Sequence, residues 1–377
     1  MLLRRSPDTE QKLTVLSKDS QYDLACACGT REEEHRRRSK EQKWIYPVAL
    51  PQGGRTFLFK TLLSNECVND CRYCPLRNDQ DPQRCRLTPE EMVRAFLRYL
   101  REGRVSGLFL SSGVMRTPDE TMGRMNAVAR KLRRGGFRGY IHLKIIPGAS
   151  DAAIRAAVSL ASAVSVNIEA AGAQHFQELT RRKQYQRDIL RSLRMISRLT
   201  SRGSRFDRVK HTTQFIVGAG RDSDREIVGS SWALYRTLGL HRVYFSAYQR
   251  GLGDRSLPGE RSGYTNEQLL TREHRLYQVD WLLRRYGFCA DEIPFDLQGN
   301  LSLRCDPKEL WARAHPEFFP VAVNRADRSR LLRVPGLGEV TVKRILGLRS
   351  SGRRIRRLED LGRAGARLRK ADQYLCF

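Results

Sequence analysis

A chain of 377 residues, 40% hydrophobic and 29% charged, is long enough for one large domain plus a smaller appendage and too apolar to be disordered. No stretch reaches the roughly 18 uninterrupted apolar residues of a membrane span, because the most apolar one, Ala152 to Ala173, is broken by Arg155, Asn167 and Glu169. The net charge of +28, from 69 Lys and Arg against 41 Asp and Glu, points to a polyanionic partner; the Arg excess, 57 against 12 Lys, reflects residue choice, whereas the shortage of acids does not.

Residues 1–45 have a polar, helical pattern that ends in the run REEEHRRRSKEQK, a solvated helix face to which no chemistry is assigned. The first ten residues, MLLRRSPDTE, carry charge with no apolar run behind them, so no signal peptide is expected and the chain is expected in the cytoplasm. From Phe57 short apolar runs alternate with Arg-bearing helical stretches: FLFKTLLS, GLFLSSG, YIHLKIIPG, AVSVNIEA, TTQFIVGAG and VYFSAYQ. These are six βα units. A parallel sheet covered on both faces reads as unbroken hydrophobic runs. Here His142 and Lys144 alternate with Leu143 and Ile145, and Ser165, Asn167 and Glu169 alternate with Val164, Val166 and Ile168. One face is apolar and the other wet. Side chains alternate faces with period two, so the expected fold is a curved α/β sheet, a partial (β/α)6 barrel with helices outside and a polar lumen inside.

Residues 251–265 read as a long loop, 266–287 as an amphipathic helix, and 288–324, rich in Pro and aromatics, as an ordered linker before a last helical segment. The expected domains are a helical extension over 1–45, the barrel over 46–290, a linker over 291–324 and a C-terminal module over 325–377. Nine cysteines in a reducing compartment suit metal or redox chemistry better than a disulfide framework, and three of them cluster.

Those three stand in Asn65-Glu-Cys-Val-Asn-Asp-Cys-Arg-Tyr-Cys-Pro75, directly after the first strand of the six. Three thiolates on one loop can bind three irons of a cubane and leave the fourth open, whereas a zinc site wants a fourth Cys or His and only Cys85 stands near. The run resembles the CxxxCxxC signature of the radical S-adenosylmethionine superfamily, whose aromatic residue before the third cysteine is Tyr73 here, and the resemblance covers about Phe57 to Gln249. It implies a [4Fe-4S] cluster on Cys67, Cys71 and Cys74, with S-adenosylmethionine chelated at the open iron. An electron from a donor such as flavodoxin or ferredoxin would then yield methionine and a 5'-deoxyadenosyl radical. Further cofactor contacts implied by the resemblance are Ser111-Ser112-Gly113, which replaces the family's GGE-like turn without its acid, and Asn167 and Glu169 on the strand that commonly meets ribose. Glu169 is either a ribose acceptor or a paired barrel acid; Lys144 either neutralises the methionine carboxylate or balances Glu169. Phe215-Ile216-Val217-Gly218 matches the adenine-binding ridge only loosely. The remaining cysteines, Cys26, Cys28, Cys85, Cys289, Cys305 and Cys376, lack compact ligand spacing and are expected to be buried structural thiols.

Arg325 to Phe377 holds 15 basic and five acidic residues, the densest basic region. Within it, Leu331-Leu-Arg-Val-Pro-Gly-Leu-Gly-Glu-Val-Thr-Val-Lys-Arg-Ile345 resembles the helix-hairpin-helix motif of DNA repair and recombination proteins, with a weaker second copy over Leu358 to Leu375. Gly336 and Gly338 permit a tight turn whose N–H groups, with the following helix N-terminus, suit a phosphate, and Lys343 and Arg344 add charge. Barrel and tail together resemble a bacterial family of radical SAM proteins assigned to DNA modification or repair, often found beside a uracil-DNA glycosylase-like protein. That resemblance implies DNA as the partner. Two rivals stay open: an enzyme modifying tRNA or rRNA, and a non-catalytic iron-sulfur protein that binds DNA.

Overall fold

The computed structural model describes residues 7–20, 44–49, 53–362 and 365–377. Cys26, Cys28 and the charge run at 31–43 lie outside the described residues. Among the described residues no helix is long and apolar enough to cross a membrane. The chain divides into two compact units, residues 1–222 with 233–269 and residues 223–232 with 270–377.

The first unit contains helix α1 (Thr9–Asp19) and a seven-stranded sheet in sequential order: β1 (Ile45–Ala49), β2 (Arg55–Leu62), β3 (Gly107–Ser111), β4 (Tyr140–Lys144), β5 (Ala163–Ser165), β6 (Lys210–Val217) and β7 (Arg242–Ala247). The six runs read as strands form the parallel part, β2 to β7; β1, an antiparallel edge strand, was not among them and falls where a helical extension was expected to end. The intervening helices are α2 (Pro89–Arg101), α3 (Pro118–Arg134), α4 (Asp151–Leu160), α5 (Ala173–Leu179), α6 (Arg191–Thr200) and α7 (Asp224–Leu238), whose start as far as Trp232 is counted with the second unit. Their starts are written locally. Thr88 accepts from the Glu91 N–H while Glu91 reaches back, with Pro89 at the first turn; Thr117 accepts from Glu120 N–H at the start of α3 and Ser150 from Ala153 N–H at the start of α4.

The registers fix which face is which. Phe59, Leu108, Ile141, Leu143, Val164, Phe215 and Phe245 share one face and are fully buried; Phe59 meets Phe96 of α2 edge-on at 6.1 Å. The opposite face carries Lys60, Phe109, His142, Lys144, Ser165, Thr212, Gln214 and Ser246, so the curled sheet holds a polar lumen, as the alternation required.

One strand departs from the expected length. The run from Val164 to Glu169 ends as a strand at Ser165, because the Thr213 hydroxyl of β6 accepts from Ile168 N–H at 3.0 Å and donates to Val166 carbonyl at 2.6 Å. The chain rejoins β6 at Glu169, whose N–H donates to Gln214 carbonyl and whose carbonyl accepts from Ile216 N–H. Glu169 makes this turn at φ 67°, and among the described residues it is the one non-glycine in the left-handed region. The 251–265 segment contains the short helix α8 (Pro258–Arg261), and α9 follows (Asn266–Arg285).

In the second unit Asp224 and Arg272 form a buried pair at 2.8 Å, and Asp224 also accepts from Leu301 N–H. The stretch read as a linker contains α10 (Pro307–Ala314), capped by Asp306, and β8 (Val321–Ala322). Next come α11 (Arg328–Arg333), a tight turn over Val334 to Gly338, and α12 (Glu339–Ser350). Then follow a 3-10 turn (Leu358–Leu361), α13 (Ala366–Ala371) and β9 (Leu375–Cys376), which pairs in parallel with β8. Their core gathers Val321, Leu331, Leu332, Leu337, Val342, Ile345, Ile355 and Leu375.

Candidate active site

The cysteine loop leaves the C-terminal end of β2 and lies on a shelf made by the end of β3. Leu63 N–H donates to Ser111 carbonyl, Gly113 N–H to Ser64 carbonyl at 2.7 Å, and Val68 N–H to Val114 carbonyl at 2.8 Å; the Ser112 hydroxyl adds 3.5 Å to Ser64 carbonyl. A side chain at Gly113 would put its first carbon 2.3 Å from Glu66 carbonyl and 3.3 Å from Cys67 Cβ, so glycine is the residue this approach requires. Ser111-Ser112-Gly113 thus supports the loop directly.

Within the loop Cys74 N–H donates to Cys71 carbonyl, and the Arg84 guanidinium reaches the carbonyls of Asn65, Leu76, Arg77 and Gln80, all at 2.5 to 3.0 Å. Asp70 pins the loop to a distant segment, accepting from Thr180 Oγ1, Arg181 N–H and Arg182 N–H at 2.5, 3.0 and 3.3 Å. Arg84, Asp70 and the 180–183 strap carry no motif spacing.

The three thiols converge. Burial pushes the Cys71 and Cys74 thiols up, Lys183 opposes the rise at both, and the neighbouring thiols, Cys67 among them, raise each further. Val114 N–H points at Cys67 Sγ from 3.5 Å, and Lys183 hydrogen-bonds Cys71. Burial lowers the Lys183 affinity for its proton, and the Cys71 thiolate and Glu169 more than reverse this, so it is held charged. Cys85 is not a fourth ligand: its thiol points to Lys12 carbonyl at 3.8 Å, and burial pushes it up to about 11. Cys289 and Cys376 are exposed and Cys305 is partly so, which corrects the expectation that these were buried thiols.

Tyr73 and Glu169 come together from opposite sides of the lumen's upper end. Tyr73 OH donates to Glu169 Oε1 at 2.7 Å, and Glu169 is 5% exposed. Burial first, and Glu169 second, hold the Tyr73 phenol well above its ordinary range, so it stays a donor. Asn167 Oδ1 is buried with no hydrogen-bond partner. Lys144 is buried on the lumen face beside Ser165, and Lys183, which sequence reasoning missed, is a cation beside both Glu169 and Cys71.

Among the described residues no three of His, Cys, Asp and Glu draw close enough for a single metal ion. A cubane places each thiolate on its own iron, so its ligands stand farther apart than those of one ion, and the donor set of three thiols, one backbone N–H to sulfur and one cation fits that group. The orphaned Asn167 oxygen and the carboxylate of Glu169 fit a hydroxyl-bearing ligand above the lumen.

Residues 61–230 match the family model described as the Radical SAM superfamily, and the chain therefore carries a radical SAM domain. Its cofactors are the [4Fe-4S] cluster and S-adenosylmethionine that this superfamily uses. Solved structures similar to the chain include the FeFe-hydrogenase maturase HydG from Carboxydothermus hydrogenoformans, at 18% identity and TM-score 0.46, covering 59% of this chain and 51% of that one. Methylornithine synthase (PylB) is similar at 16% identity and TM-score 0.44, covering 59% of this chain and 63% of its own. The chain thus spans between half and two thirds of these proteins. No curated protein matches it.

In the second unit the other expected residues sit on the two-helix hairpin. Gly336 takes φ 88°, and a side chain there would collide with Arg367 carbonyl at 2.3 Å, so this glycine is needed to seat α13 whatever the turn binds. Gly338 starts α12 without a side-chain cap, and Lys343 and Arg344 are exposed on that helix. Lys308 of α10, 6% exposed, donates to Leu337 carbonyl in the turn at 2.7 Å, with its ammonium 4.7 Å from the Tyr286 ring centroid.

Proposed function

We propose that the protein is an enzyme that cleaves S-adenosylmethionine reductively and uses the resulting radical to repair or modify a base in DNA. Cys67, Cys71 and Cys74 would hold the cluster, Asn167 and Glu169 the ribose, and Tyr73 would orient Glu169. When bound and reduced, the cluster supplies the electron that yields methionine and a 5'-deoxyadenosyl radical.

The observation that carries the DNA reading is the surface of the hairpin unit. Besides Lys343 and Arg344 on α12, the loop after it exposes Arg353, Arg354, Arg356 and Arg357 around the single buried Ile355. The uncapped start of α12 and the exposed arginines past its other end each suit the phosphates of a nucleic-acid backbone, which position a protein without specifying sequence.

Cutting the chain at Asn324 would strip β8 of its partner β9, so point variants are the sounder test. Fluorescence anisotropy with a duplex should give a log affinity that falls with log salt, and Arg353→Ala with Arg354→Ala should reduce that slope by about 0.9 per lost phosphate contact. Reconstituted protein with dithionite and S-adenosylmethionine should release 5'-deoxyadenosine at the same rate in this variant and the parent. An unchanged slope removes the DNA reading, and tighter binding of a structured RNA than of duplex gives the case to the RNA-modifying rival.

A further inference from the structure

Below the cysteine loop the lumen face carries a continuous row across six strands. The Lys60 ammonium, on a side chain 5% exposed, lies 5.1 Å from the Tyr46 ring centroid and 5.0 Å from that of Phe109. Phe109 stacks at a tilt on His142, centroids 4.4 Å apart, and His142 Nε2 shares a hydrogen with Ser165 Oγ at 2.9 Å. Thr212 pairs with Ser165 on the adjacent strand; it is 4% exposed and its Oγ1 has no hydrogen-bond partner.

A position that only filled space would be better served by valine, which has the same shape and no hydroxyl to desolvate. An orphaned hydroxyl beside an imidazole–hydroxyl pair therefore marks where a partner is missing. The partner must carry donors and acceptors along one edge to meet Ser165 and Thr212, and the neighbouring Phe109 and His142 rings favour an aromatic one. Thr212 lies five residues before the C-terminal end of β6, at about 3.3 Å per residue, well below the level of Glu169 and the cysteine loop. A ligand seated there would face the cofactor end with its upper atoms.

We infer that this row is the substrate-recognition site and that it takes a single nucleobase, read along one edge by Ser165 and Thr212. The inference rests on the nucleic-acid reading above and sharpens it: the base has to leave its stack to enter, as it does for other enzymes that do chemistry on a base.

The test uses the reconstituted holoenzyme and the four 2'-deoxynucleoside 5'-monophosphates, with saturation-transfer NMR and equilibrium dialysis. At least one nucleotide should bind, and Thr212→Val should weaken it about tenfold while iron content and S-adenosylmethionine affinity stay at parental values. Ser165→Ala, which leaves Thr212 in place, should weaken the same nucleotide and so guards against a folding artefact at one position. Binding of no nucleotide by the parent, or equal binding by parent and both variants, overturns the inference. The two proposals fail separately. If the Arg353 and Arg354 pair changes the duplex salt slope while Thr212→Val changes nothing, the lumen site is wrong and the DNA reading stands. If nucleotides bind through Thr212 while the duplex slope ignores the arginines, the base site stands and duplex DNA is not the polymer.

Discussion

Glu169 combines the side chain proposed to hold the ribose with an unfavourable backbone, and the two can be separated. A left-handed conformation costs a non-glycine residue about 1 kcal/mol, and Glu169 holds it so that its carboxylate reaches Tyr73 at the upper lumen. Glu169→Gln should keep the turn and lose the charge, weakening S-adenosylmethionine binding by about 1.5 to 3 kcal/mol. Glu169→Gly should lose the same binding and raise the unfolding midpoint, because the strain goes with the side chain. Calorimetric titration and thermal melts on the two variants check this, and a fall in the melting point of the glycine variant would show that the carboxylate also holds the barrel together. His211, on the helix face of β6, is another residue placed against its own chemistry. It is buried with neither ring nitrogen bonded, and burial pushes its pKa down to about 3. The unfolded chain takes up a proton near pH 6.5 that the folded chain refuses, so stability is lost as pH falls from about 6.5 towards 3, by up to about 1.4 kcal/mol per unit. Urea midpoints at pH 7.5 and 5.5 should therefore differ more for the parent than for His211→Leu. The cysteines and Tyr73 were legible in the sequence because they share one loop with fixed spacing. Lys183 was not, since it reaches Cys71 only because Asp70 binds the strap before it, a contact spanning more than a hundred residues.

At the level of elements, period-two alternation identified the lumen because only one face of each strand is packed under helices. It failed where a side chain replaced a strand partner: the Thr213 hydroxyl takes the backbone groups of Val166 and Ile168, and nothing in the run from Val164 to Glu169 announces that. It also missed β1, whose Pro47 and short span resemble a loop. The turn between α11 and α12 was legible from its two glycines, though Gly336 proves to be needed for packing against α13. The lysine that holds the turn was invisible, as it comes from α10. Burial lowers the Lys308 pKa to about 7 from an ordinary 10.5. Above pH 7 the folded chain sheds that proton while the unfolded chain keeps it, so the stability of this unit should rise between pH 7 and about 10.5. Lys308→Met should abolish that rise, read as the difference in urea midpoint between pH 7.5 and 9 relative to the parent. A variant with the parent's pH profile would mean that the amine is solvated in solution.

For the molecule as a whole, composition raised the expectation of a polyanionic partner and the cysteine loop pointed to the chemistry, while the closing of the second unit's core depends on pairings no local pattern records. The bond between β8 and β9 is the clearest of these. Val321 finds its strand partner at Leu375, roughly fifty residues later in synthesis. At about 5 to 20 residues per second, the nascent segment waits several seconds with Leu331, Leu332, Val342 and Ile345 lacking the strand that closes their core. Strands β2 and β5 wait nearly as long, Leu58 for Gly107 and Ser165 for Thr212, but each already has a strand partner made before it, whereas β8 has none. Aggregation during expression should therefore start in the hairpin unit, and slower translation of its last residues should lower the yield of intact protein without touching the barrel.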